Sequence, residues 1–171
     1  MEVGCGYVMA REGDSLIIAT ARHVVQDTNS RATPPQGEVR FHGVEEALAY
    51  RVLHLDAKDL AFVKVRRPGH DTPLPLVFRD APLDVRLWLI SARREHKTLP
   101  TGFDGRMLYR SSSTPYFWAA IPGTAQGDSG SMILSREGIV GMLLGGSSEL
   151  ECLAIGYVMD RLNSIVMPVG K

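Results

Sequence analysis

A serine stands between glycines in the run Gly127-Asp128-Ser129-Gly130-Ser131, directly before an apolar segment. A nucleophilic serine needs an exposed hydroxyl on a tight turn, with backbone N–H groups nearby that can bind a developing oxyanion. Glycine suits such a turn because it has no Cβ. Ser129 is therefore a candidate nucleophile, and the N–H groups of Gly127 and Ser129 are candidate oxyanion donors. Taken alone, the same run also fits an ordinary β-turn, so the hypothesis requires partner residues.

A general base for Ser129 has to come from five histidines, all of which precede it in the chain. His23 lies at the end of an apolar, strand-like run. Such a position suits a reacting group, because a rigid element holds its side chain in place. The remaining histidines have strand-end or loop surroundings without a motif, which favours solvated side chains; they are His42, His54, His70 and His96. We therefore predict that His23 is the base.

The base needs a carboxylate that fixes its tautomer and stabilises its cation, and two aspartates compete for this role. Asp59 opens the apolar run Leu60-Ala61-Phe62-Val63-Lys64-Val65, whereas Asp56 lies three residues earlier in a predicted loop. An acid at the start of a buried strand is the better placed of the two, so we favour Asp59. Asp59 could also be an ordinary strand-initiating aspartate.

The chain order His23, Asp59, Ser129 discriminates between classes of serine hydrolase. An α/β-hydrolase has its histidine after the serine, and no histidine follows Ser129. A subtilisin-like enzyme could use Asp14 before His23, but it needs alternating strands and helices, which this sequence lacks. No histidine and cysteine spacing typical of zinc occurs, so neither a metal nor another cofactor is expected.

Short β-strands must position these residues, because apolar runs rich in valine, isoleucine and aromatic residues alternate with glycine, proline and aspartate. Glycines in Glu12-Gly13-Asp14 and Arg136-Glu137-Gly138 predict hairpins, and residues 160–167 predict a helix that Asp160 begins. The eleven predicted strands are 3–9, 15–20, 38–41, 49–55, 60–65, 85–91, 106–109, 116–121, 132–134, 139–144 and 153–159. Prolines gather in residues 68–84, which predicts a linker between residues 1–67 and 85–171.

Composition narrows the choice of partners. The chain has 171 residues, with 19 basic and 19 acidic side chains and a formal net charge of zero, so no overall field attracts nucleic acid or anionic lipid. Its apolar runs are far shorter than the roughly 20 residues of a membrane span. Glu2 stands where a secretory signal would carry a basic residue, and two cysteines favour a reduced pair. We therefore expect a cytoplasmic protein that contacts neither nucleic acid nor membrane.

The segments TARHVV, DLAFVKV and GTAQGDSGS, in this order, resemble the trypsin-like (chymotrypsin-fold) serine peptidases, and most closely the compact bacterial members. Three further segments extend the resemblance over nearly the whole chain: GCGYVMA, IVGMLLGG and IGYVMDRL. The resemblance implies an all-β fold of two six-stranded antiparallel β-barrels, over residues 1–67 and 85–171, with the active site in the cleft between them. It also implies a serine endopeptidase with His23 as base, Asp59 as orienting acid and Ser129 as nucleophile of an acyl-enzyme.

The family further implies a pocket that binds the substrate side chain just before the scissile bond. None of the residues at the corresponding positions of this sequence is charged. They are Gly123 at the floor, Leu144, Gly145 and Gly146 along one wall, and Gly156 opposite. An apolar side chain is therefore expected there. Three residues depart from the family pattern: Arg22 where alanine is frequent, Val24 where secreted members have cysteine, and Ser131 where glycine is usual. Asp128, which pairs with a newly cut terminal amine in many secreted relatives, is expected to be satisfied by local groups or to be ordered only when a partner or substrate binds.

Two functions follow from the resemblance. The first is hydrolysis of a protein or peptide substrate. The alternative is a catalytically silent barrel that binds peptides or regulates a neighbouring domain, with further domains or a regulatory partner outside this chain.

Overall fold

The structure is a computed structural model that describes residues 4–26, 36–41, 44, 46–67, 74, 77, 85–93 and 101–166. These residues are mostly β, with eleven strands and two helices. The strands before the predicted linker form one sheet, and those after it form a closed barrel. Most of residues 68–84 lie outside the described part, but Val77 makes a β-bridge with Ile139 of the barrel.

The first sheet contains five antiparallel strands in the spatial order β1-β2-β5-β4-β3. Strands β2 and β5 lie side by side within it and are nearly all buried, because apolar residues fill both of their faces. The hairpin predicted at Gly13 is confirmed and joins β1 to β2. The elements of this half are β1 (Gly6–Glu12), β2 (Ser15–Ala21), α1 (Arg22–Val25), β3 (Gln36–Arg40), β4 (Ala47–Asp56) and β5 (Leu60–Arg66).

The second half is a closed six-stranded barrel in the order β10-β11-β8-β7-β6-β9. Its core consists of apolar side chains that the alternating strands direct inward, among them Leu87, Leu89, Phe117, Ile133 and Leu143. The hairpin predicted at Gly138 is confirmed and joins β9 to β10. The elements are β6 (Arg86–Ser91), β7 (Thr101–Arg110), β8 (Tyr116–Ala120), β9 (Met132–Ser135), β10 (Gly138–Gly146), β11 (Leu150–Ala154) and α2 (Ile155–Val166).

Of the expected pair of six-stranded barrels, the described residues show one. The barrel of the second half is closed, but the sheet of the first half has five strands, and its edge strands β1 and β3 do not pair with each other in the described residues. A sheet closes into a barrel only when its two edges hydrogen-bond. The first half is therefore an open sheet within the part of the chain that the structure describes.

The predicted boundary between the last strand and the terminal helix is wrong. Residues 153–159 were expected as strand, yet β11 ends at Ala154 and α2 begins at Ile155. Buried Ile155, Val158 and Leu162 recur at helical spacing and pack against both halves. The short apolar run before Asp160 fits both the two-residue period of a strand and the 3.6-residue period of a helix. Burial of one helical face favours the helix. Neither described helix is long and apolar enough to cross a membrane.

A second apolar cluster joins the two halves. Side chains from the sheet, the barrel and α2 all belong to it, including Tyr7, Phe62, Leu144, Leu153 and Leu162. The sheet and the barrel therefore share a core, and this shared core sets the position of any residue at the junction of the two halves.

Candidate active site

The register of the first sheet brings His23 beside Asp59. Strands β2 and β5 are antiparallel, with Ala21 opposite Leu60. His23 comes just after β2, in the one-turn helix α1, and Asp59 comes just before β5. The backbone N–H of Arg22 donates to the carbonyl of Asp59 at 2.9 Å, which fixes the start of α1 against this turn.

Asp59 is the last residue of a three-residue turn between β4 and β5 and has a φ of +64°. Three-residue hairpin turns commonly end on a left-handed residue. Aspartate tolerates this conformation better than most residues do. The turn therefore explains why an aspartate at this position is compatible with the fold, and it directs the carboxylate toward α1.

Two hydrogen bonds hold His23 on this carboxylate. The Nδ1 atom of His23 lies 2.7 Å from Oδ2 of Asp59, and the backbone N–H of His23 donates to Oδ1 at 2.9 Å. An ionised carboxylate only accepts hydrogen bonds, so Nδ1 carries the ring proton and Nε2 keeps the basic lone pair. The side chains are 29% and 34% exposed, which leaves the pair accessible to a reacting group.

The loop that carries Ser129 is held by the residue just before the first strand, Cys5. The backbone N–H of Cys5 donates to the carbonyl of Ser129 at 2.8 Å. A Cβ atom on Gly130, whose φ is +91°, would lie 2.0 Å from the carbonyl oxygen of Cys5, so only glycine fits there. Two further backbone bonds join Gly130 and Ser131 to Leu143 of β10.

The N-terminal segment also joins the two parts of the candidate site. A Cβ atom on Gly4 would lie 2.5 Å from Cγ2 of Val24 and 2.9 Å from the carbonyl oxygen of Ser129. Val24 is the neighbour of His23 in α1. The helix of the base and the loop of the serine therefore approach each other on either side of Gly4.

Two backbone N–H groups, those of Gly127 and Ser129, are the candidate oxyanion donors. Gly127 has a φ of +99°, and within the described residues neither its N–H nor that of Ser129 donates to another group. Two unengaged N–H groups on one loop are what an oxyanion site requires.

The Ser129 hydroxyl itself donates to the carbonyl of Leu144 at 3.1 Å. A hydroxyl has one proton to donate. The structure therefore joins His23 to Asp59 but does not place the serine proton on His23, and transfer to the base requires a rotation of the Ser129 side chain.

Asp128 is fully buried and satisfied by local groups, as the sequence suggests. It accepts hydrogen bonds from Ser91 Oγ at 2.5 Å and from the backbone N–H of Ala125 at 3.0 Å. It also pairs with Arg93, whose Nε lies 3.1 Å from Oδ1 and whose side chain is 15% exposed. Sequence reasoning missed Ser91 and Arg93, because nothing local marks β6 as the partner of this loop.

Removing the Arg93 charge should loosen the serine loop. We expect Arg93→Met to lower the free energy of unfolding by about 3 kcal/mol, since it leaves the Asp128 carboxylate buried without its cation. Denaturant unfolding measures this effect. Arg86→Met is the matched control, because the Arg86 pair with Asp104 is 65% and 63% exposed and is worth about 0.5 kcal/mol or less. Equal losses in the two variants would contradict the role of Arg93.

Asp56, the competing acid, has other partners. Its carboxylate accepts from Tyr157 Oη at 2.6 Å and lies 3.2 Å from Nε of Arg161, both on α2. Burial raises the pKa of Asp56, but the hydrogen bonds from Tyr157 and the Lys58 N–H and the charge of Arg161 lower it by more, so the carboxyl pKa is below its ordinary value. Asp56 is therefore an anion held by the terminal helix, while Asp59 holds His23.

Of the other histidines, the structure describes His54, which does not contact His23 or Asp59. His54 is 38% exposed, with Nε2 3.7 Å from Asp56. His42, His70 and His96 lie outside the described residues. Among the residues that the structure describes, no group of three histidine, cysteine, aspartate or glutamate side chains could hold a metal ion.

The predicted pocket residues lie in three places. Leu144, Gly145 and Gly146 end β10, where the Leu144 carbonyl meets Ser129 and a Cβ on Gly145 would have no heavy atom within 4 Å. Gly123 is exposed and faces the ring of Phe103, which would lie 2.5 Å from a Cβ atom. Gly156, expected on a strand opposite, lies in the first turn of α2 instead.

The arrangement of sheet, barrel and terminal helix is that of a trypsin-like, serine-protease-type fold. The crystal structure of Rv3671c from M. tuberculosis H37Rv, a serine-to-alanine mutant in an inactive form, is similar with a TM-score of 0.67 and 20% sequence identity, over 98% of this chain and 84% of that chain. This likeness establishes the fold alone. No protein-family model and no curated protein matches the sequence.

Proposed function

We propose that the chain is a serine endopeptidase that hydrolyses peptide bonds through an acyl-enzyme. The observation that carries the proposal is the two-point attachment of His23 to Asp59, near a serine loop that has two unengaged N–H groups. The pair supplies a base of defined tautomer, and the loop supplies the oxyanion donors.

In the proposed mechanism, the Ser129 hydroxyl rotates from the Leu144 carbonyl toward Nε2 of His23. Its oxygen attacks the scissile carbonyl while its proton passes to Nε2, and Asp59 stabilises the resulting imidazolium. The N–H groups of Gly127 and Ser129 bind the oxyanion of the tetrahedral intermediate. Collapse breaks the C–N bond, and the leaving amine takes the proton from His23. Water, activated by His23, then attacks the ester on Ser129 and releases the acid.

A fluorophosphonate probe tests the proposal directly, because it reacts with activated serines. We expect one probe per chain, located on Ser129 by peptide mass spectrometry. Ser129→Ala should take up no probe, and Ser131→Ala should label as the parent does, which separates the two serines of one short peptide. Equal labelling of native and heat-denatured protein would contradict an activated serine.

One observation favours the alternative, a catalytically silent barrel that binds peptides. The Ser129 hydroxyl donates its hydrogen bond to the Leu144 carbonyl and not to a base. A silent barrel would bind peptides in calorimetry but neither hydrolyse them nor take up the probe. A single hydrogen bond of this kind is worth only about 1 kcal/mol, so bound substrate can replace it, and we favour the enzyme.

The side chain before the cut should be apolar or aromatic. The guanidinium of Arg93 lies 5.7 Å from the centre of the Phe103 ring, which faces Gly123. A substrate cation placed there would meet the like charge of Arg93, and Asp128, the acid that pairs with Arg93, is buried and already accepts from Ser91 and Ala125. An apolar group instead gains about 25 cal/mol per Å² buried. We expect kcat/KM for leucine or phenylalanine to exceed that for lysine or arginine by about 10-fold or more. Cleavage of a peptide library measures this preference.

Glu149 provides the control for this preference. It is exposed and accepts a hydrogen bond from Tyr109 Oη at 3.0 Å. If Glu149 stays there, Glu149→Gln leaves the preference unchanged. Dominant cleavage after basic residues that disappears in Glu149→Gln would contradict the prediction and would assign the missing charge to Glu149.

A further inference from the structure

Helix α2 holds the turn that carries Asp59, and the contact is made by Asp56. Asp56 is 6% exposed and is the last residue of β4. Its Oδ2 atom accepts two hydrogen bonds, from Tyr157 Oη at 2.6 Å and from the backbone N–H of Lys58 at 3.0 Å. One oxygen therefore connects the helix to the turn.

The bond from the Lys58 N–H closes an Asx-turn, in which an aspartate side chain bonds the backbone two residues on. Asp59 is the next residue and has the left-handed φ of +64°. Such a conformation persists only where the surroundings fix it. The Asx-turn is thus the local contact that fixes the backbone directly before Asp59.

A second set of contacts ties the same turn to the helix of the base. Arg22 donates from Nη1 to the carbonyl of Asp56 at 3.3 Å and from Nε to Oε1 of Gln26 at 2.5 Å. Its backbone N–H donates to the carbonyl of Asp59. These contacts give a structural role to Arg22, which stands where the family frequently has alanine. The helices α1 and α2 therefore both bind the turn between β4 and β5.

Asp56 is surrounded by donors and cations, which keeps it ionised. Tyr157 and Arg161 face it from α2, His54 from its own strand, and Arg22 contacts its carbonyl from α1. Hydrogen bonds to an ionised acceptor are about twice as strong as neutral ones. The carboxylate can therefore hold the Tyr157 hydroxyl and the Lys58 N–H at once.

We propose that Asp56 and Tyr157 are positioning residues, which hold the Asp59 turn against helix α2 and so keep Asp59 in the geometry that orients His23. This inference rests on the proposed function for its effect on rate. The inference itself concerns the contact between His23 and Asp59, which can be measured without turnover.

Tyr157→Phe tests it with the least disturbance, because the ring and its packing remain and only the hydroxyl is lost. We expect kcat to fall about 10-fold with KM within about 2-fold, less than the roughly 10²-fold that a 1 Å misplacement costs. Asp56→Asn should show the same pattern with a larger loss, since it weakens the Asx-turn too. Asp104→Asn, which removes the exposed partner of Arg86, is the control and should match the parent in kcat.

Nitrogen-15 NMR of the imidazole provides the readout that a merely structural role would not change. When Asp59 is misplaced, the imidazolium loses stabilisation, so the pKa of His23 should fall in Tyr157→Phe and Asp56→Asn, and the Nδ1 proton signal should weaken. The acidic limb of the plot of kcat against pH should move to lower pH, as the pKa of His23 does. The proposal is overturned if both variants keep the parent's His23 titration and kcat.

The two proposals fail in different ways. If the parent neither hydrolyses peptides nor takes up the fluorophosphonate, the proposed function is wrong, and the His23 titration of the variants still supports or overturns the positioning role. If Asp56→Asn does not fold, Tyr157→Phe decides.

Discussion

Replacing Ser129 by alanine is expected to lower kcat for peptide hydrolysis by about 10⁴-fold or more. In the proposed mechanism the change removes the atom that forms the acyl-enzyme and leaves only the oxyanion donors and substrate binding. The fold should be retained, because the hydroxyl makes one hydrogen bond, to the Leu144 carbonyl, worth about 1 kcal/mol. Single-turnover hydrolysis and denaturant unfolding measure the two effects.

Ser131→Ala is the control for this result, since Ser131 lies two residues further on and is buried. It should keep most of the parent's rate. Equal rates in the parent and Ser129→Ala would refute Ser129 as nucleophile, and loss of activity in Ser131→Ala alone would move the nucleophile to Ser131.

Asp59→Asn should be nearly as damaging, with kcat lowered about 10⁴-fold. Asparagine adopts the left-handed conformation of Asp59 readily, so the turn should persist. Its amide oxygen can still accept from the backbone N–H of His23, but its NH₂ group would then donate to Nδ1. The ring proton would move to Nε2, and His23 could no longer accept the proton of Ser129. Steady-state kinetics with an unchanged unfolding midpoint would support this reading.

Comparison with Asp56→Asn makes the test specific, because the two aspartates lie on the same turn. Asp56 contacts α2 and not His23, so its replacement should cost more than the roughly 10-fold expected for Tyr157→Phe but no more than about 10²-fold, as expected for a positioning residue. If Asp56→Asn proved the more harmful change, the acid would be wrongly assigned by three residues.

Much of the β-structure can be predicted from local pattern. The strands of the first sheet and the hairpins at Gly13 and Gly138 lie where apolar alternation and turn glycines predict them. Pattern fails at β7, which runs over Thr101–Arg110 although only residues 106–109 were expected. Gly102, Asp104 and Gly105 interrupt the apolar alternation there, and pairing with β6 extends the strand across them.

The candidate site divides in the same way. The types and order of His23, Asp59 and Ser129 can be found in the sequence because each adjoins a recognisable apolar run. The contacts of Arg93 with Asp128 and of Tyr157 with Asp56 cannot be found there. The Arg93 contact depends on barrel closure, and the Tyr157 contact depends on how helix α2 packs against the first half. Closure of the first half stays a prediction, because the described residues contain five of the six strands that the resemblance implies.

The shared core has a consequence for substrate selection. His23 and Asp59 adjoin the sheet and Ser129 adjoins the barrel, while Phe62 and Leu153 pack in one apolar cluster that joins the two halves. The spacing of the proposed base and nucleophile is thus set by the volume of buried side chains, since protein interiors are close-packed and transmit strain. A methylene added or removed in that cluster changes the reacting geometry without touching the substrate. Selection of faster or slower variants can therefore act on residues that no peptide contacts.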